Sequence, residues 1–338
     1  MNQLKHNMTS SHDFAIPHCL VLGAGGARGL AHLGVIRALG ERNVQINRIV
    51  GVSMGSLIGG LCAVEGNVAN ATQRVLDFFN SSSGRKLRSA VFATGGASNP
   101  GESFRWPVAM FRELKKGTAM LRAVRSQSLL SSTVLRNAID SVVPDLCIED
   151  LSTPIQIATV DIRTGKRVIL NSGSLRKAIR ASMSIPGIFP AVHYQSQRLG
   201  DVGVYDSVPC DIPVDPRCML QEMEPIIAVD VGQDVEEQTE RQSALRSALR
   251  FQAFAEQTIR QQSLARADLI VKPSIEQTPW FDFSNPEKII QAGYEAALIT
   301  LGSLEQSVAT TPRTAGNGIA TVAKSRNSEA GKQSSLRV

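Results

Sequence analysis

The chain of 338 residues predicts an α/β fold, and three observations predict it. Short apolar runs alternate with helix-forming segments along most of its length. The first two of these runs lead directly into glycine-bearing turns followed by helical patterns. Hydrophobic residues make up 43% of the chain, enough to bury a sizeable core. Yet no apolar run approaches the ~18 residues that a membrane-spanning helix needs.

Residues 1–15 are polar, lack the apolar core of a signal peptide and read as disordered. His18 to Gly23 reads as a first strand buried on both faces, followed by a glycine-rich turn and a helix from about Gly29 to Arg42. Arg48 to Val52 is the second strand, with helices near 54–64 and 67–79. Residues 80–127 break the pattern: Ser81-Ser82-Ser83-Gly84, Gly95-Gly96 and Asn99-Pro100-Gly101 predict a long, partly irregular, lid-like insertion. It carries Arg85, Lys86, Arg88, Arg105, Arg112, Lys115, Lys116, Arg122 and Arg125 against only Glu102 and Glu113. Phe104, Trp106, Met110, Phe111 and Leu114 lie among them. That mixture suits a membrane-interfacial segment, and it suits equally a surface helix packed on the domain.

Regular structure resumes with a helix over Leu129 to Val142. Two strands, Ile155 to Asp161 and Arg167 to Asn171, are joined through the turn signal Thr164-Gly165. A helix over Leu175 to Met183, a strand over Val192 to Leu199 and an apolar strand over Ile226 to Val231 follow. Ser243 to Ala267 is a long helix and Leu269 to Lys272 a short strand. Pro286 to Leu304 is a last helix, with proline near its N-terminus. The domain therefore spans 16–305, and 306–338, rich in Ser, Thr, Gly, Ala and Lys, reads as a disordered basic tail.

Composition narrows the function classes. Aromatics are only 5% of residues, which disfavours aromatic-rich nucleic-acid surfaces, so no nucleic-acid partner is expected. The net charge of +6 suits anionic lipid headgroups as well as an unremarkable solvated surface. Five cysteines without a C-x-x-C pair, and five scattered histidines, predict reduced thiols, a cytoplasmic setting and no metal site.

Two turns carry chemistry. Gly51-Val52-Ser53-Met54-Gly55 is a G-x-S-x-G sequence between a strand and a helix of small residues. Such a turn exposes the serine hydroxyl in front of helix amide groups, although Ser53 could also be an ordinary N-cap. Gly23-Ala24-Gly25-Gly26-Ala27-Arg28-Gly29 fails the dinucleotide spacing, because Arg28 stands where the third glycine belongs, and no acid ends the second strand. It reads better as a row of backbone N–H groups for a developing oxyanion, with Arg28 adding positive potential or locking the loop. For the base, a Ser53–Asp161–His193 triad has the right chain order, but His193 lies in a strand-like stretch. Asp201, in Leu199-Gly200-Asp201-Val202-Gly203, ends a strand among glycines and could take the serine proton directly, or be a simple turn former.

Together these blocks resemble the patatin-like phospholipase family. Gly25-Gly26-Ala27-Arg28-Gly29 is similar to its G-G-x-R-G loop, and Gly51-Val52-Ser53-Met54-Gly55 to its nucleophile turn. Arg180-Ala181-Ser182-Met183-Ser184-Ile185-Pro186-Gly187-Ile188-Phe189-Pro190 resembles the run before its aspartate, and Asp201 falls at its D-G-G or D-G-A. The resemblance extends from about Cys19 to Leu301. It implies a three-layer α/β/α fold with a mostly parallel central sheet. It also implies a Ser53–Asp201 dyad without histidine. Gly25, Gly26, Ala27, Arg28, Gly29 and Met54 would form the oxyanion and substrate-binding set. The implied activity is hydrolysis of phospholipid or other acyl-ester lipids, with no cofactor and with peripheral contact to anionic membranes. A weak or inactive lipid-binding member, or a soluble small-ester esterase or thioesterase, would carry the same blocks. The chain departs from the pattern at Val202, where a left-handed backbone would strain a valine, and at Ser207, where the family usually has Asn.

Overall fold

Eight strands form one mixed sheet whose register decides where the functional turns fall. The computed structural model describes residues 16–95, 128–212, 224–235, 237, 244–275 and 277–310. β1 (His18–Leu22), β2 (Ile46–Val52), β3 (Ile155–Asp161), β7 (Ile226–Val229) and β8 (Leu269–Val271) run parallel in the order β3-β2-β1-β7-β8. β4 (Arg167–Leu170), β5 (Val192–Tyr194) and β6 (Gln197–Gly200) make the antiparallel end. The central strands are apolar throughout because both faces are covered: β1 and β3 are buried at every residue.

Side-chain alternation sorts the layers. Leu20, Leu22, Ile49, Ile155 and Ile157 point into the larger core. Packed there are α1 (Ala31–Glu41), α2 (Met54–Glu65), α3 (Val68–Asn80), α4 (Ser82–Gly95), α5 (Ser132–Val142), α6 (Leu175–Ser182) and α8 (Pro286–Thr310). Cys19, Val21, Val50 and Ala228 point the other way, against Leu264 of α7 (Ala244–Leu264). The result is three layers, helices on both sides of a mostly parallel sheet. None of the helices among the described residues is long and apolar enough to cross a membrane.

Most predicted elements appear within a few residues of their expected limits. Three differ. The single strand expected over Val192–Leu199 is a hairpin, β5 and β6, turned at Gln195, whose φ is +52°. The turn was hidden because no glycine marks it. The expected irregular insertion begins with a helix: Ser81 Oγ accepts the Gly84 amide at 3.1 Å and so caps α4, whose Leu87 and Val91 are buried. The Ser-Gly run is therefore a helix start. The rest of the insertion, 96–127, lies outside the described residues, as do 1–15. Finally, α8 continues to Thr310, past the expected start of the tail at 306.

α1 and α8 cross at two glycines. A Cβ on Gly34 would lie 1.9 Å from Ile290 O, and one on Gly293 would lie 2.0 Å from Ala31 O. This contact seats α1, and with it the turn that precedes it. Gly34→Ala should lower unfolding stability by about 2–3 kcal/mol through forced separation of the helices. Gly40→Ala, one turn or more away with nothing within 4 Å of its Cβ, should be neutral or slightly stabilising in the same urea titration.

Candidate active site

β2 ends at Val52, and the chain turns into α2 through Ser53, whose φ of +53° and ψ of −118° are unusual for a residue with a side chain. Both flanking glycines are needed for contact rather than for φ. A Cβ on Gly55 would sit 2.1 Å from Leu22 O, and one on Gly51 2.6 Å from Ser56 Cα. α2 thus starts hard against the end of β1, and its first amides fold back: Ser56 and Leu57 donate to Ser53 O at 3.0 and 3.2 Å. Ser53 is more than an N-cap, because its side chain caps nothing in α2.

The register of β3 brings the aspartate to it. One edge of β3 pairs with β4 from Ile157 to Val160. The opposite edge is divided: β2 pairs with it up to Ala158, and β6, running the other way, pairs from Asp161 back to Val160. β2 and β6 therefore approach end to end along one edge, and the residues that follow them, Ser53 and Asp201, meet across the gap at Thr159. The Ser53 hydroxyl lies close enough to the Asp201 carboxylate to favour its charged form. The last residue of α6 and one just beyond it hold the ends. Ser182 Oγ accepts the Ser53 N–H and donates to Ala158 O, both at 2.8 Å, and Ser184 O accepts the Asp201 N–H at 2.9 Å.

Asp201 is 3% exposed. Burial pushes its pKa up to about 7, against the opposing hydrogen bonds from Ser53 and from the Gly203 amide, which donates at 2.8 Å. Val202 supplies much of the dryness. It packs with Val52, Ala158 and Val160, starts a short 3-10 helix, and is not among the residues with positive φ. The strain expected of a valine here is absent, because the turn takes an ordinary backbone. Gly203 is the position that must be glycine, since a Cβ would lie 2.4 Å from Ala24 Cβ.

The glycine-rich turn lies beside Ser53, since β1 and β2 are neighbours. The amides of Gly23, Ala24, Ala27 and Arg28 are taken by Val229 O, Ser207 O, Trp280 O and Gly25 O. Among the described residues the amides of Gly25, Gly26 and Met54 have no acceptor in the fold. Within the expected set these are the groups available to an oxyanion, while Ala27, Arg28 and Gly29 build the turn. Gly26 needs its φ of +57° and its missing Cβ, which would meet Trp280 O at 2.2 Å. The Met54 side chain packs against Gly29. His32 Nε2 donates to Gly23 O at 2.8 Å, and burial lowers its pKa to about 4, so it is a neutral clamp.

The alternative triad is not assembled. His193 is exposed on β5 opposite Arg198. Asp161 is occupied by the Arg163 and Arg198 amides and the Thr164 hydroxyl of its own hairpin. Among the described residues no group of His, Cys, Asp or Glu is arranged to hold a metal.

Two features escaped sequence reasoning. Glu256, Arg260 and Ser263 of α7 are buried; Glu256 and Ser263 hold the segment after Asp201, and Arg260 holds the one after β7. Ser207 donates to Glu256 at 2.5 Å, Arg260 pairs with Asp230 at 2.6 Å, and Ser263 donates to Val208 O at 2.7 Å. Ser207 thereby gains a side-chain acceptor, while its carbonyl anchors Ala24. The polar spacing 256, 260, 263 on one helix face was the available signal. The second is a cavity of about 50 Å³, its lining apolar in side chain, that Gly26 and Met54 help to line. Phe79, Leu87, Ile139 and Phe283 are among its walls, from α3, α4, α5 and the segment after β8. The signal there was Trp280-Phe281-Asp282-Phe283, an aromatic run in an aromatic-poor chain.

The sequence profile described as patatin-like phospholipase matches residues 20–214. Over 213 residues the chain is 30% identical to Lysophospholipase NTE1 of Mycosarcoma maydis, covering 63% of this chain and 10% of that protein. It is 31% identical over 219 residues to human Patatin-like phospholipase domain-containing protein 6, covering 64% of this chain and 13% of that one. An uncharacterized NTE family protein of Mycobacterium tuberculosis is 30% identical over 190 residues, 56% of this chain and 43% of its own length. The chain thus spans a small part of the two larger relatives.

Burial of Asp201 has a consequence for stability. Its folded pKa lies above the unfolded value, so its contribution is fully present below about pH 4 and is lost as pH rises through 7. Asp201→Asn removes that loss. Its stability relative to wild type should improve by about 2 kcal/mol between pH 5 and pH 8 in urea unfolding. A gap that stays constant with pH would show that Asp201 is not the buried acid described.

Proposed function

The chain belongs to the patatin-like phospholipase family, and from that premise we propose that it is a lipid acyl hydrolase with Ser53 as nucleophile and Asp201 as its base. The observation that carries the reading is the Ser53 hydroxyl beside a buried carboxylate of raised pKa, next to an apolar cavity lined in part by Met54. A carboxylate of ordinary pKa is a poor base for a hydroxyl, and raising it towards neutrality narrows the mismatch.

In the proposed cycle Asp201 takes the proton as Ser53 Oγ attacks the ester carbonyl. The tetrahedral oxyanion forms against the N–H groups of Gly25 and Gly26, with Met54 N–H as a further donor. Collapse releases the alcohol portion, which leaves with the proton from Asp201, and the acyl group remains on Ser53. Water then attacks the acyl-enzyme, giving its proton to Asp201, and the fatty acid departs as Ser53 recovers its proton. The cavity beside Met54 receives the acyl chain, for which an apolar wall is the matching solvent. The names of the relatives support a phospholipid or lysophospholipid substrate. The unstrained backbone at Val202 argues against the inactive reading.

The test is hydrolysis of a chromogenic short-chain ester and of a lysophospholipid by wild type and Ser53→Ala. Turnover should vanish in the variant, by 10³-fold or more as order of magnitude for a lost nucleophile, and the wild-type rate should climb as pH rises to about 7, as Asp201 loses its proton. Equal rates in both proteins would sink the proposal.

Ser182 acts on Ser53 only through the backbone. Ser182→Ala should lower kcat about ten-fold with little change in KM, since the strained turn loses its clamp and the substrate cavity does not. An unchanged kcat in steady-state kinetics would remove Ser182 from the positioning set.

A further inference from the structure

α7 is built inside out. Its charged residues between 251 and 262, Glu256 and Arg260, are 3% and 1% exposed. Its outward residues over the same span are Phe251, Gln252, Phe254, Ala255, Thr258, Ile259, Gln261 and Gln262, none of them charged. Phe251 is 73% exposed and Phe254 40%, the two rings edge to face at 6.2 Å. Exposed aromatics on this scale are uncommon without a partner.

The helix axis says where this face points. Arg260 meets Asp230, just past the carboxyl end of β7, and Asp268 pairs with Ile226 at the opposite end of that strand. α7 therefore runs antiparallel to the sheet, and its earlier residues lie beyond the carboxyl ends of the strands. Phe251 stands about 13 Å further along the axis than Arg260. That is the end of the sheet at which Ser53 and the glycine-rich turn lie.

On α7 itself the charge near this face is positive. Glu256, buried, is the sole acid in α7, whereas Arg250 lies over the Phe254 ring at 5.0 Å. The nearby Asp234 is already paired with Arg260 and Lys272. Apolar side chains with Arg250 beside them, and no exposed acid on the helix, complement an anionic lipid surface rather than a cationic one. We propose that the outward face of α7, centred on Phe251 and Phe254 with Arg250, docks the protein on anionic bilayers so that its catalytic end faces the membrane. The inference deepens the lipid-hydrolase reading but does not need turnover to be tested.

The experiment is co-sedimentation with vesicles of phosphatidylcholine containing phosphatidylglycerol, and of phosphatidylcholine alone. Wild type should pellet with the anionic vesicles and release as salt rises. Phe251→Ser/Phe254→Ser should bind at least ten-fold more weakly, and Arg250→Glu should weaken anionic binding selectively. All should keep wild-type circular dichroism and wild-type turnover of a soluble short-chain ester, if the enzyme reading stands. Wild type that stays in solution overturns the docking proposal, as does a double variant that binds equally well. A concentration-dependent dimer abolished by the double substitution would assign the face to a second copy and overturn it too. A protein that binds but hydrolyses nothing would leave docking standing and remove the enzyme reading.

Discussion

The arrangement rests on the divided edge of β3. Two strands that run in opposite directions share that edge, and the residues after them are forced to meet. Such a junction is costly in itself, because the backbone groups at the gap lose their ladder partners. A side chain restores them. The Ser182 hydroxyl satisfies both the Ser53 N–H and Ala158 O, and Ser184 O satisfies Asp201 N–H. The same hydrogen bonds that repair the sheet hold a strained serine and a dry carboxylate within reach of each other. Repair of the sheet and placement of Ser53 beside Asp201 are one set of contacts.

Around that junction the protein separates two kinds of environment. On the Asp201 side, Val52, Ala158, Val160 and Val202 exclude water and raise the carboxyl pKa. On the far side of the glycine-rich turn, α7 buries Glu256, Arg260 and Asp230 as a hydrogen-bonded network. Buried ion pairs seldom add net stability, since desolvation offsets their attraction. Their value here is directional. Ser207 is tied to Glu256 through its side chain and to Ala24 through its carbonyl, so the segment after the aspartate and the start of the glycine-rich turn share one anchor. Turning these charges inward also leaves the outer face of α7 to aromatic residues, which links the internal brace to the proposed membrane contact.

Much of this was legible in the chain. Apolar runs, glycine-bearing turns and the order of elements announced an α/β sheet, because strand and helix periodicities are local properties. Ser53, Gly25, Gly26 and Asp201 stood out for the same reason: each sits in a short turn whose residue types are dictated by backbone geometry nearby. The β5–β6 hairpin and the helix start at Ser82 were less legible. A Gln-Ser turn and a Ser-Gly cap resemble loop and strand composition until long-range pairing selects between them.

By itself, then, the sequence determined the succession of elements, the two chemical turns and the candidate nucleophile and base. Only the tertiary structure decided which carboxylate lies beside Ser53. Asp161 and Asp201 both follow apolar strands, and register, which no local pattern encodes, turns one into a hairpin cap and the other into a dry partner of the serine. It also decided that Val202 is unstrained, that Ser182 bridges two strands, and that α7 turns Glu256 and Arg260 inward. Each of these depends on atoms far apart in the chain brought within hydrogen-bond or van der Waals contact, and such contacts exist only once the sheet is closed.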